Sequence, residues 1–176
     1  MAHLQGCHQE RRGVESSGLY KAVYPQVHQQ RKTSEAKTLP VAYCQYKTEV
    51  FDRLNITLHN VSSGVQRLRT YLDAFAGCAE RGEMCGIYAM LSDSHQFSPE
   101  LQEAVSQLAH QEIQMIKDII TSGQNSGEFK TVLLPDELAV IVCSTLKGAL
   151  MLNRLPPHDI YSGTVNALIK MLDTRT

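Results

Sequence analysis

The sequence predicts an all-α protein, a bundle of about six helices. Two observations carry this prediction: apolar residues recur at helical spacing along most of the chain, and recognisable helix starts precede several of these stretches. In addition, no stretch shows the alternating apolar and polar residues of a β-strand. The one β-like run, residues 131–134, stands before a proline and fits a loop better.

The six predicted helices cover residues 41–59, 61–79, 84–91, 98–121, 135–154 and 159–172. Pro40 precedes the first, and Ser62 or Ser63 is expected to cap the second. Ser98 and Pro99 form a standard helix start, because a hydroxyl caps the first turn and proline lacks an N–H where none is needed. Turn residues around Gly123 and Gly127 are expected to end that helix.

Composition is that of an ordinary globular chain. Hydrophobic residues make up 43% and charged residues 20% of 176 positions, enough for one domain with a core. The net charge of −1 gives no global argument for binding nucleic acid or membrane. Residues 1–40 hold six basic and three acidic side chains, whereas the remainder holds eleven against fifteen. A mildly basic end on an acidic body suits a DNA-binding head, although a solvated polar tail explains it equally well.

No run of about twenty apolar residues exists, so no transmembrane helix and no membrane partner is expected. The polar first twelve residues show no secretory signal. Cysteines occur at positions 7, 44, 78, 85 and 143, an odd number at irregular spacing. Free thiols in a reducing cytoplasm are therefore expected, with no metal site and no cofactor.

Six short motifs occur in an order and at a spacing that resemble the C-terminal domain of TetR/AcrR-type transcriptional regulators. They are Gly82-Glu-Met-Cys-Gly86, Leu91-Ser-Asp93, Ser98-Pro-Glu-Leu101, Gly123-Gln-Asn-Ser-Gly-Glu-Phe129, Pro135-Asp-Glu-Leu-Ala139 and Lys147-Gly-Ala-Leu150. The resemblance covers about residues 43–172. It implies an effector-binding and dimerisation domain at residues 41–176, with a small hydrophobic effector and a homodimer.

Residues 13–21, Gly-Val-Glu-Ser-Ser-Gly-Leu-Tyr-Lys, resemble the helix-turn-helix signature of the same family. By that resemblance Ser16, Ser17, Tyr20 and Lys21 would face operator DNA. However, only twelve residues precede Gly13, whereas the family has roughly thirty more there, including a supporting first helix. A short isolated helix is marginal in water. Residues 1–40 are therefore interpreted as a truncated or altered remnant of the head, with DNA binding in question.

The resemblance also implies that the last two long helices form a four-helix bundle with a partner subunit. The helix at 135–154 is apolar on nearly every side, which is typical of a helix buried on both sides. The predicted interface residues are Val140, Leu146, Leu150, Tyr161, Val165, Leu168 and Leu172. Packing within a single subunit is the alternative.

An effector pocket is expected between the middle helices, mostly apolar with a few polar groups. The predicted lining residues are Tyr71, Phe75, Met84, Cys85, Tyr88, His110, Met115 and Cys143. Met and Cys suit an adaptable hydrophobic site, although plain core packing explains each residue individually.

Catalytic patterns are lacking: no phosphate-binding glycine loop, paired helical histidines or nucleophile elbow occurs, so an enzyme is not expected. Three interpretations remain. The first is a regulator that senses a small molecule, the second a helical dimerisation or interaction module without DNA binding, and the third a small-molecule carrier.

Overall fold

The computed structural model describes the backbone of residues 35–173 and the side chains of residues 41–173. Within that range the chain forms seven α-helices, a 3-10 helix at Ser94–Gln96, and no strand beyond an isolated antiparallel bridge between Phe129 and Asp173. The helices are α1 (Glu35–His59), α2 (Gly64–Asp73), α3 (Ala76–Glu80), α4 (Gly86–Ser92), α5 (Pro99–Asn125), α6 (Pro135–Leu152) and α7 (Ile160–Leu172). The predicted all-α class is confirmed.

The predicted DNA-contacting residues Ser16, Ser17, Tyr20 and Lys21 lie outside the described residues, as does Cys7. The first described helix, α1, begins at Glu35 and continues through Pro40, six residues before the predicted start. Proline removes one N–H donor from the early turns of this helix, and the 25-residue helix tolerates that loss.

The helix predicted at residues 61–79 is in fact two helices. Ser63 caps α2 as expected, accepting a hydrogen bond from the backbone N–H of Gln66. The break follows Asp73, where the N–H of Phe75 bonds to the Leu72 carbonyl three residues back. The Tyr161 hydroxyl donates to that same carbonyl at 2.5 Å. A partner from α7 therefore reinforces the tight turn, which apolar periodicity could not reveal.

The longest helix, α5, is the centre of the bundle, and α1, α2, α4 and α6 all pack against it. The last helix, α7, packs on α6 and α2. One continuous core joins all these helices. Its completely buried members include Leu68, Leu72, Val105, Ile116, Ile120 and Val142.

Helix α5 begins at Ser98 as predicted but continues past Gly123 to Asn125. Gly127 follows with φ of 72°, the left-handed conformation that glycine adopts readily after a helix. Gly123 instead permits close packing: a Cβ there would lie 2.3 Å from two ring atoms of Phe129. A Cβ on Gly64 would likewise lie 2.7 Å from the Cα of Gly123, so α2 and α5 meet backbone to backbone.

Candidate functional site

A buried ion pair lies between α5 and α6. The Lys147 ammonium is 2.6 Å from Oε1 of Glu112, and the two side chains are 8% and 0% exposed. Buried charges are costly unless they are paired and hydrogen-bonded. The side chains around this pair therefore determine how its two charges are stabilised.

Aromatic side chains surround the pair on the side of α2 and α4. The Tyr71 hydroxyl donates to Oε1 of Glu112 at 2.6 Å, so that oxygen has two donors. The Lys147 ammonium lies 4.0 Å from the ring centroid of Phe75 and 5.1 Å from that of Tyr88. Both distances are within cation–π range. Burial by itself would lower the pKa of Lys147, but its interactions with Cys85 and with the Glu112 carboxylate, including the hydrogen bond to Glu112, outweigh burial and leave this pKa raised, so the lysine is cationic.

A tyrosine–thiol pair borders the same cluster. The Tyr88 hydroxyl lies 2.7 Å from the sulfur of Cys143. Burial raises the pKa of the Cys143 thiol to about 11 and also raises the pKa of the Tyr88 phenol. Both groups are therefore neutral near pH 7, and the Cys143 thiol is not activated as a nucleophile.

The remaining carboxylate oxygen of Glu112 is unusual. Oε2 is buried and has no hydrogen-bond partner among the described residues. Most buried polar atoms in proteins have at least one partner. The cluster thus combines aromatic side chains and a thiol with one buried acceptor that no described residue satisfies. We call Tyr71, Phe75, Tyr88, Glu112, Cys143 and Lys147 the buried polar cluster.

Four of the eight predicted pocket residues, Tyr71, Phe75, Tyr88 and Cys143, meet in the buried polar cluster. Cys85 is buried at the start of α4 and influences the Lys147 pKa, and Met115 is buried on α5. The other two are differently placed. Met84 is half-buried, with its sulfur 3.6 Å from an Arg154 nitrogen, and His110 is exposed on the outside of α5.

The sequence-based prediction of the pocket omitted Glu112 and Lys147, the two charged members of the cluster. The sequence nevertheless contains a pattern that indicates them. Glu112 stands four residues from both Leu108 and Ile116, which places it inside the apolar stripe of α5. Lys147 is the sole charged residue between Glu137 and Arg154 on a helix that is otherwise apolar or small and polar. An acid and a base, each alone on an apolar face, are candidates for a buried pair.

The predicted dimer-interface residues are placed differently from expectation. Six of the seven are buried within the subunit's own core: Leu146, Leu150, Tyr161, Val165, Leu168 and Leu172. Only Val140 is exposed, at 49%. Because α6 is apolar on most sides, the sequence could not distinguish its inward face from its outward face. The apolar face of α7 packs into its own subunit, where the prediction had assigned it to a partner.

A separate set of apolar residues and one glycine is exposed on α6 and α7. We call this set the apolar stripe, and its members are Val140, Ile141, Gly148, Met151 and Leu152 on α6 and Met171 on α7. A Cβ added at Gly148 would meet no atom within 4 Å, so the stripe is open at its middle. Leu155, just after the end of α6, is also exposed, at 56%.

The Gly-Glu-Phe segment after α5 positions α2, the helix that carries Tyr71. The Glu128 carboxylate accepts hydrogen bonds from the Gly64 and Val65 N–H groups, at 3.0 and 3.3 Å, and from the Ser63 hydroxyl. These donors lie at the positive end of α2, where an anion is favoured. Led by the Ser63 hydroxyl, they lower the pKa of Glu128 to about 2.

Among the described residues, no helix is long and apolar enough to cross a membrane, and no group of three or more His, Cys, Asp or Glu could hold a metal ion. The four cysteines of the described range, Cys44, Cys78, Cys85 and Cys143, are free thiols.

Comparison with known proteins gives one match. No curated protein and no solved structure matches the chain. Residues 64–167, more than half of the chain and the span from α2 into α7, match the family described as Tetracyclin repressor-like, C-terminal domain. That family comprises regulatory domains and not enzymes, and its members typically bind ligands and dimerise. The chain therefore belongs to the tetracyclin repressor-like C-terminal domain family of TetR regulators.

Proposed function

We propose that this protein is a TetR-like regulator domain that binds a small, mostly hydrophobic effector at the buried polar cluster and dimerises through α6 and α7. The observation that carries the proposal is the cluster itself. Two aromatic rings, a neutral thiol and a Lys147–Glu112 pair converge between α2, α4, α5 and α6. Effector sites between helices have this combination of apolar walls and a few polar groups.

The dimer is supported by the apolar stripe. Water-soluble monomers rarely expose large apolar patches, and such patches usually mark interfaces. Val140, Ile141 and Met151 are 44–52% exposed on one side of α6. A two-fold axis beside α6 and α7 would place each stripe against its copy and bury these side chains. Gly148 lets the paired helices approach closely.

Helix α6 offers a physical route between the two sites. Lys147, on the inner side of α6, belongs to the buried polar cluster, and Gly148, on its outer side, belongs to the apolar stripe. A ligand that repositions Lys147 would therefore shift the helix on which the dimer packs. An effector changes operator affinity only as far as it binds the two arrangements unequally. We propose that a shift of α6 is that difference.

Size-exclusion chromatography with light scattering tests the dimer. We expect the wild-type chain to be a dimer at micromolar concentration and Ile141→Glu to be a monomer, because a charge in an apolar interface is costly. Ile56→Glu is the matched control, since Ile56 is 65% exposed on α1, and it should remain a dimer. A monomeric wild-type chain would contradict the proposal.

A thermal-shift screen with uncharged aromatic compounds tests the effector site. Compounds that bind should raise Tm, because a ligand for the native state stabilises it by mass action. Phe75→Trp, which enlarges a wall of the cluster, should abolish the rise. Tyr46→Trp is the control for adding an indole, since Tyr46 is half-exposed on α1. A ligand unaffected by Phe75→Trp would place the effector elsewhere.

DNA binding separates this function from the second candidate, a dimerisation module that sequesters a full-length regulator in mixed dimers. The exposed apolar stripe suits both candidates. A gel-shift assay with the DNA upstream of its own gene distinguishes them. Salt-dependent binding that Lys21→Ala weakens would support a working DNA reader, and no binding at low salt would favour the interaction module.

We further propose that the protein is located in the cytoplasm, where its four described cysteines would stay reduced. Cell fractionation tests this location. Recovery of the chain from the membrane or the secreted fraction would contradict it.

A further inference from the structure

The two oxygens of the Glu112 carboxylate have unequal surroundings. Oε1 accepts from the Tyr71 hydroxyl and from the Lys147 ammonium, both at 2.6 Å. Oε2 is equally buried and has no partner among the described residues. A buried carboxylate oxygen without a donor is unfavourable, so Oε2 is available to accept a hydrogen bond.

We propose that the effector is an uncharged, largely apolar molecule that donates one hydrogen bond, from a hydroxyl or an amide N–H, to Oε2 of Glu112. This inference rests on the proposed function, because it names the chemistry of the ligand for the same site. Phe75 and Tyr88, the two rings beside the Lys147 ammonium, would contact the apolar body of the ligand, and the donor would complete the hydrogen bonds of the Glu112 carboxylate.

The charges at the site argue against an ionic effector. Lys147 and Glu112 neutralise each other across 2.6 Å, so the cluster has no net charge to offer. An anion near Lys147 would meet the Glu112 carboxylate, and a cation at Oε2 would lie close to the Lys147 ammonium. Either ion would lose its hydration without a full counter-charge, which is expensive in a buried site. A neutral donor avoids both costs.

Four probes with the same ring system test the proposal by isothermal titration calorimetry on the full chain: 1-naphthol, 1-methoxynaphthalene, 1-naphthoate and 1-naphthylmethylammonium. We expect 1-naphthol to bind about tenfold or more tightly than its methyl ether, because the ether cannot donate to the charged oxygen. We expect both ions to bind more weakly than 1-naphthol.

Glu112→Gln provides the matched variant. The amide oxygen must face Tyr71 and Lys147, since both are donors, so the amide NH2 replaces Oε2 and turns the open acceptor into a donor. The preference for 1-naphthol over the ether should then shrink to about twofold or less. A preference that survives this substitution would place the donor on another group and overturn the inference.

The ratio of the affinities of the wild-type protein for 1-naphthol and its methyl ether tests the inference even if the Glu112→Gln variant does not fold. Equal binding of 1-naphthol and its ether, or tighter binding of either ion, would refute a neutral donor while leaving the effector site standing. Failure of all four probes to bind would contradict the proposed effector site itself, and this inference would fall with it.

Discussion

Replacing Lys147 with methionine tests whether the buried ion pair behaves as the structure indicates. Methionine has nearly the length of lysine and lacks the charge. The Glu112 carboxylate, 0% exposed, would then keep only the Tyr71 hydroxyl as a partner. Removing one member of a buried pair typically costs about 3–5 kcal/mol, because the other charge is left uncompensated. We expect a loss of that size in the free energy of unfolding.

Urea unfolding at fixed protein concentration measures the loss, and fixed concentration matters because a dimer gains stability by mass action. For a chain of this size, about 2–4 °C of Tm corresponds to each kcal/mol, so Lys147→Met should lower Tm by roughly 6–20 °C. The Glu112→Gln/Lys147→Met double variant should recover much of the loss. Its amide still accepts from Tyr71, and no unpaired charge remains.

The double-mutant cycle isolates the interaction between the two side chains. Glu112→Gln alone leaves the Lys147 ammonium facing a neutral amide and should cost about 1–3 kcal/mol. We expect the double variant to cost at least about 2 kcal/mol less than the sum of the single variants. Additive costs, or a loss below about 1 kcal/mol for Lys147→Met, would refute the idea of a tightly coupled buried pair.

Two further predictions concern the contact between α2 and α5. Glu128→Gln should cost about 1 kcal/mol near pH 7, because it weakens the cap on α2. The Ser63-led donors lower the pKa of Glu128 from 4.5 to about 2, so its stabilisation is present above pH 4.5 and disappears as pH falls towards 2. Gly123→Ala should lose about 2 kcal/mol by overlap with Phe129, whereas Gly77→Ala, which meets only the Arg81 side chain, should be near neutral.

Urea unfolding at a series of pH values tests the Glu128 prediction. The free energies of unfolding of the wild-type and Glu128→Gln proteins should converge at low pH. Curves that stay parallel down to pH 2 would show that the cap carries no charge-dependent stability. Thermal melts check the second. A Gly123→Ala protein as stable as Gly77→Ala would mean that the ring of Phe129 can move aside freely.

The local signals of the sequence were sufficient for much of the fold. Ser98 caps α5 as predicted, and α2 is capped by Ser63, one of the two serines predicted for that position, since a capping hydroxyl acts within four residues of itself. The loop at residues 131–134 and the proline start of α6 also lie where they were expected. The order of short motifs indicated the family, and the match over residues 64–167 confirmed it.

The predicted ends of helices were wrong where residues distant in the sequence contact the helix end. The hydroxyl of Tyr161, 89 positions along the chain from Leu72, reinforces the turn that ends α2. Gly123 is a turn residue by local rules, yet it lies within α5, where Phe129 and the backbone of Gly64 occupy the space that a side chain would need. Neither partner is visible in a window of the sequence.

The sequence by itself determined that this chain is helical, where most helices start, and to which family it belongs, because caps, periodicity and motif order are local properties. Only the tertiary structure decided which side of α6 points inward, since a helix apolar on most sides has no periodicity to orient it. It also decided that Glu112 and Lys147 meet, 35 positions apart, within an aromatic enclosure. Two buried charges are tolerable only together, and packing alone places them within reach of each other.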